Sequence, residues 1–225
     1  IIVKQPATAR FVATEIYNFF VSDNHDPEAV EVLASAYMEC GYNIRDVLKV
    51  LFHSKFFKEA RFEHVKSPAE LVAGTLRLSG DHTDPYDFGL SQTTYRTALM
   101  GQQLLNPPTV EGWHTGREWI DSSFLIERVN FAAEKLGNPN ARGVIQIASR
   151  IASTASSISP KELLDACLYE LGAIEIENST KNILLDELGI KNNVPCETED
   201  DMMQFRNLVA QILSLVSATR EYQIA

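Results

Sequence analysis

A chain of 225 residues that is 45% hydrophobic and 22% charged has the material for a sizeable core, which argues against disorder. Its formal charge of -10 disfavours a general nucleic-acid binder, because phosphate recognition needs clustered Lys and Arg. Charged or polar residues interrupt every hydrophobic stretch, so no run approaches the roughly 20 apolar residues of a membrane span. The first residues are Ile1 and Ile2 rather than Met, from which a processed chain or a fragment lacking its upstream part is expected.

From the start of the chain the pattern is helical. Thr8 to Val21 sets Val12, Ile16, Phe19 and Phe20 on one face, and Ser22-Asp23-Asn24 ends the run. Asp26-Pro27 is an N-cap followed by proline in the first turn, opening a helix that turns Val30, Leu33, Ala34 and Tyr37 inward and stops at Gly41. Asn43 caps a third helix, whose Ile44, Val47, Leu48, Leu51 and Phe52 have the spacing of a core-facing stripe. Ser67-Pro68-Ala69-Glu70 is a capping box, in which hydroxyl and carboxylate satisfy free backbone N–H groups at a helix start. That helix runs to Gly80, Asp81 to Gly89 is a polar loop, and a helix holding Tyr95, Leu99 and Met100 leads to Leu105. After the aperiodic stretch from Asn106 to Ile120, a helix spans about Ser123 to Leu136 and ends before Gly137-Asn138-Pro139. A second capping box, Ser159-Pro160-Lys161-Glu162, lies in a region of small, aliphatic and acidic residues where helices are expected over about 142–157, 160–171, 179–188 and 199–217. In the last of these, Met202, Phe205, Val209, Ile212 and Val216 recur three and four apart, as in a bundle seam or a contact with a partner helix. The expected fold is all-α: a multi-helical orthogonal bundle over residues 1–137 and a smaller acidic helical subdomain over 138–225.

Charge is unevenly spread. Ser159 to Ala225 holds 5 Lys and Arg against 12 Asp and Glu, a balance of -7, whereas Asn43 to Arg77 holds 7 against 4, a balance of +3. Cys40, Cys167 and Cys196 are odd in number and far apart, so they make no disulfide framework, and Cys40 and Cys167 read as small core residues on helices. Asp81, His82, Asp84 and Asp87 form an oxygen-rich loop that matches no complete EF-hand, so a solvated turn is expected. His25, His53 and His64 show no metal-ligand spacing, and neither a nucleophile elbow nor a phosphate-cradling glycine loop appears. No metal and no cofactor is expected.

Asn106 to Ile120, NPPTVEGWHTGREWI, gathers both tryptophans, two prolines and two glycines into a helix-free stretch between helices. Proline fixes φ, while Gly112 and Gly116 allow turns that other residues resist. Its aromatics either staple the loop to the core or form a ligand platform. In the second case Trp113 or Trp119 stacks on a flat face such as a sugar ring, and His114 and Arg117 supply titrating or charged contacts. Glu111, Glu118 and Asp121 are acids close by in sequence, and a paired-carboxylate mechanism turns on their separation. The candidate ligand-binding residues are Trp113, His114, Arg117, Trp119 and Glu111.

The runs PPTVEGW and GREWI, followed by a polar-capped helix ending in VNFA, resemble the signature of a bacterial family, domain of unknown function 1800. FVATEIYNFFVSD, the helix around Asn43 to Phe57 and KSPAELVAGTLRLSG resemble the C-terminal half of that family, and LSLVSATREYQIA resembles its usual ending. The family pattern has Asn where this chain has Thr109, and Pro-Gly where it has His114-Thr115. The resemblance implies a multi-helical, exported bacterial protein, placed in the periplasm, at the cell surface or outside the cell, whose chain continues before Ile1; it carries no settled activity. The expected function is a noncatalytic interaction or ligand-binding region. Expected partners are the N-terminal remainder of the same protein and a protein or a glycan, with no nucleic acid and no membrane span. The alternatives are an accessory part of a hydrolase acting on envelope or extracellular polysaccharide and a structural assembly scaffold.

Overall fold

In the computed structural model the described residues are 1–82 and 89–224. They are all-α apart from one two-stranded pairing. The chain divides into two compact units: Ile1–Val65 with Thr115–Arg117 and the chain end, and Lys66–His114 with Glu118–Gln223. The composition change near residue 138 does not coincide with this division, because helices on both sides of it share one core.

The first unit contains α1 (Pro6–Phe20), α2 (Pro27–Glu39), α3 (Ile44–His53) and α4 (Lys55–Glu59). Asp26 and Asn43 cap α2 and α3 by accepting from the backbone N–H of Glu28 and Arg45, as their positions predict. The short α4, which periodicity does not reveal, starts where Ser54 Oγ accepts from Phe57 N–H. The buried face of α1 is Ala9, Ala13 and Tyr17, set against Val30, Leu33 and Tyr37 of α2 and Val47 and Leu51 of α3. This corrects the expected apolar faces. Phe19 is 74% exposed and Phe20, Ile44 and Phe52 are also exposed, while Val12, Ile16 and Leu48 are half-buried. Alanine lets two helix backbones approach more closely than phenylalanine allows, so the small residues take the α1–α2 seam.

The second unit contains α5 (Pro68–Ser79), α6 (Leu90–Leu99), α7 (Ser122–Leu136), α8 (Arg142–Ala152), α9 (Pro160–Glu170), α10 (Asn178–Leu188) and α11 (Glu199–Ser217). Both expected capping boxes form, at Ser67 with Glu70 and at Ser159 with Glu162, and a third forms at Thr198 with Asp201. The axis of the unit is α11, which packs against α7, α8, α9 and α10. Its Phe205, Val209, Ile212 and Val216 are buried in the core of this chain, so the three-and-four spacing serves internal packing. Each such side chain contributes roughly 1.5–3 kcal/mol by leaving water.

Two helices stop earlier than expected. Leu99 ends α6 because Gly101 takes a left-handed turn at φ 94. At the end of α8 the hydroxyls of Ser153 and Thr154 bond back to the carbonyls of Arg150 and Ile151. The chain then enters β1 (Ser157–Ile158), antiparallel to β2 (Val194–Pro195), with Ile158 opposite Val194. Among the described residues, no helix is long and apolar enough to cross a membrane.

Candidate functional site: the proline-tryptophan loop

Backbone geometry holds the loop out from the helices it joins. Residues 103–110 are all exposed, including Leu104, Pro107 and Pro108, and Leu105 is 97% exposed with φ 64 in the left-handed region. A branched side chain in that region costs roughly 1–2 kcal/mol relative to ordinary backbone. Beyond the prolines the chain turns tightly. Gly112 N–H donates to the Thr109 carbonyl at 3.2 Å, and the Thr109 hydroxyl donates to the Gly112 carbonyl and accepts from Glu111 N–H. Val110, at the tip, is fully exposed.

The indole of Trp113 closes the base of this prong by donating Nε1–H to the Gln103 carbonyl at 3.0 Å. The segment 103–113 is therefore a clasped loop rather than a free strand.

The other candidate residues are placed separately. Trp119 is 4% exposed, on a five-residue 3-10 helix (Gly116–Ile120), and offers no open face for stacking. His114 Nδ1 pairs with the Glu118 carboxylate, both exposed, and Glu111 and Arg117 are exposed. Asp121 caps α7 by accepting from Ser123 N–H and hydroxyl. Of the five candidates, only Trp113 takes part in the prong's clasp.

Thr115–Arg117 groups with the first unit, where Gly116 is buried against Asp23. At φ 61, a Cβ on Gly116 would stand 3.0 Å from the Asp23 carboxyl carbon, so both the backbone and the close approach favour glycine. Asp23 Oδ2 accepts from Val65 N–H at 2.8 Å, and His64 Nδ1 lies 2.8 Å from Oδ1, off the line a hydrogen bond needs.

Sequence reasoning missed a polar centre inside the second unit. Arg128 on α7 is completely buried, donating Nε–H to Gln223 Oε1 at 2.9 Å and Nη2–H to the Lys66 carbonyl at 2.7 Å, while its Nη1 has no hydrogen-bond partner among the described residues. Lys66 Nζ donates to the Tyr222 carbonyl at 2.8 Å and lies 4.7 Å above that residue's ring. Tyr222 in turn bonds the buried Thr75 hydroxyl at 2.9 Å. Burial pushes Arg128 down to about 10, with Glu70 opposing, and burial together with the Arg128 charge pushes Lys66 down to about 8. A readable signal existed: Phe124, Arg128, Phe131 and Ala132 have core spacing, with an arginine in the stripe.

Asp81 pairs with Lys135 at 2.8 Å, while Asp84 and Asp87 lie outside the described residues. Cys40 is half-buried at the end of α2, Cys167 is buried with its thiol pushed up by desolvation, and Cys196 donates to the Ala155 carbonyl at 3.0 Å. Among the described residues, no group of three or more His, Cys, Asp or Glu is arranged to hold a metal ion.

A family model described as protein of unknown function (DUF1800) matches residues 1–224. No curated protein and no solved structure matches the chain.

Proposed function

The chain belongs to the DUF1800 family, whose function is unknown, and from that premise we propose that it is a noncatalytic interaction module whose recognition element is the clasped prong 103–113. The observation carrying this reading is Leu105, a leucine that is both 97% exposed and left-handed. Burial does not reward such a residue, and the fold bears its backbone strain; binding sites are where conformations of this kind persist. Pro107 and Pro108 lower the entropy lost on ordering the segment, and Leu105 with Val110 supplies apolar area for a pocket on a protein partner. Export from a bacterial cytoplasm is a companion proposal, resting on the family likeness alone, which fractionation of the producing cells checks.

Placing a photo-crosslinking amino acid at Val110 in those cells tests the reading. The expected result is one discrete protein adduct that Leu105→Asp abolishes, and whose purified protein component binds the chain with the same Leu105 dependence. Absence of an adduct, or an adduct indifferent to Leu105, overturns it.

A further inference from the structure

The first unit carries a ridge of rings on its surface. Phe19 and Phe20 of α1 meet edge to face at 4.7 Å, Phe20 meets Phe52 of α3 at 5.4 Å, and Phe52 meets Phe57 of α4 at 5.0 Å. At one end Phe19 stands 74% exposed. Lys55 and Lys58 flank Phe57 and Arg45 and Lys49 lie on α3, with the acids Glu15, Asp46 and Glu59 among them. Of these acids, Asp46 is held by Lys49 at 2.7 Å.

The second unit carries a hollow of opposite character. A cavity of about 280 Å³ opens between α8 and the start of α11, lined by Ile145, Met202 and Met203 and equally by Arg206, Glu197 and Glu199. By volume alone this hollow has room for one phenyl group, since roughly 150 Å³ accommodates a benzene ring. Methionine conforms to whatever ring enters, and a guanidinium at the wall favours an aromatic face. The acids continue along the first turn of α11 as Asp200 and Asp201.

We propose that Phe19 of one copy docks in the Met202–Met203 cavity of a second copy, with Lys55 and Lys58 facing Glu197 and Glu199. The two surfaces differ, so the contact is head to tail, and a pair keeps a free hollow on one copy and a free ridge on the other for continued assembly into a ring or an open chain. The ridge and the hollow lie apart in sequence from the 103–113 prong, so failure of either proposal leaves the other standing.

Sedimentation velocity on the protein at low salt is the test, with circular dichroism confirming that each variant stays helical. Wild type is expected to gain mass with concentration and to lose the association as salt screens the charges. Phe19→Ser, a change at an exposed position, is expected to weaken self-association at least tenfold. The pair Lys55→Glu with Lys58→Glu, and the pair Glu197→Lys with Glu199→Lys, should each leave a monomer. Mixed together, the two paired variants should associate, because each restores opposite charge to the other's altered face. A monomeric wild type, an unaffected Phe19→Ser or a mixture that stays monomeric overturns the proposal. So does a monomer that co-sediments through Phe19 with anionic phospholipid vesicles, an outcome that reassigns the ridge to a lipid surface.

Discussion

Arg128 and Gln223 stand 95 positions apart in sequence, and the fully buried guanidinium donates to the Gln223 amide oxygen at 2.9 Å. Gln223 passes the connection on by donating its own amide to the Ser217 carbonyl at 3.1 Å. Through the same guanidinium the Lys66 carbonyl is tied to the final turn of the chain. Arg128→Met keeps most of the volume but leaves the buried Gln223 amide oxygen and the half-buried Lys66 carbonyl without their donor, so a loss of about 2–4 kcal/mol is expected in urea unfolding. Adding Gln223→Leu should cost less than the sum of the two single changes, because both act on one hydrogen bond. Strict additivity would show that the contact is incidental.

Lys66 gives stability a specific pH dependence. Its folded pKa of about 8 lies below the roughly 10.4 of an unfolded lysine, so between these values the unfolded chain binds more protons than the folded one. Stability contributed by this residue therefore rises as pH increases from about 8 toward 10, with Arg128, Glu70 and the Tyr222 ring as the groups facing it. Lys66→Met should flatten that rise in urea midpoints measured across the window. A wild-type profile that already falls between pH 8 and 10 would contradict the burial of the amine.

Gly143 tests the packing of α8 on α5. A Cβ there would run into the Leu78 carbonyl oxygen and stand 2.7 Å from the Ser79 carbonyl carbon, so two rigid backbones would have to separate. Gly143→Ala is expected to cost about 3 kcal/mol or more, against the gain of up to roughly 1 kcal/mol that alanine brings in an unhindered helix. A neutral result by thermal or urea unfolding would mean that α5 and α8 lie farther apart.

At Leu105, stability and binding should move in opposite directions. Asparagine tolerates the left-handed region better than leucine, and the leucine side chain buries nothing that would be lost. Leu105→Asn is therefore expected to leave stability unchanged or raise it by up to about 1 kcal/mol in urea unfolding. A loss of more than that amount would mean that Leu105 packs within the fold.

Most helix starts were legible because caps are local chemistry: Asp26, Asn43, Ser67 and Ser159 each accept the backbone N–H that their position predicts. The inward face of α1 was harder to read. Ala9, Ala13 and Tyr17 compete there with an equally periodic set containing Phe19 and Phe20, and only the closeness of α2 decides between them. Ser67 and Glu70 announced a helix, but the neighbouring Lys66 could not be read from that motif, since its partners Arg128 and Tyr222 arrive from far along the chain. The loop from Asn106 to Ile120 was visible as a break in periodicity. Its division of labour was not: Trp113 clasps, Trp119 is buried, and Leu105, which lies just before it, takes the strain.

The interaction reading is tested most directly by the affinity of Leu105→Asn for the protein captured at Val110. The account predicts at least a tenfold weaker Kd, about 1.4 kcal/mol, from a variant that is no less stable than wild type. An unchanged Kd would contradict it, because the strained and exposed leucine would then contribute nothing to recognition.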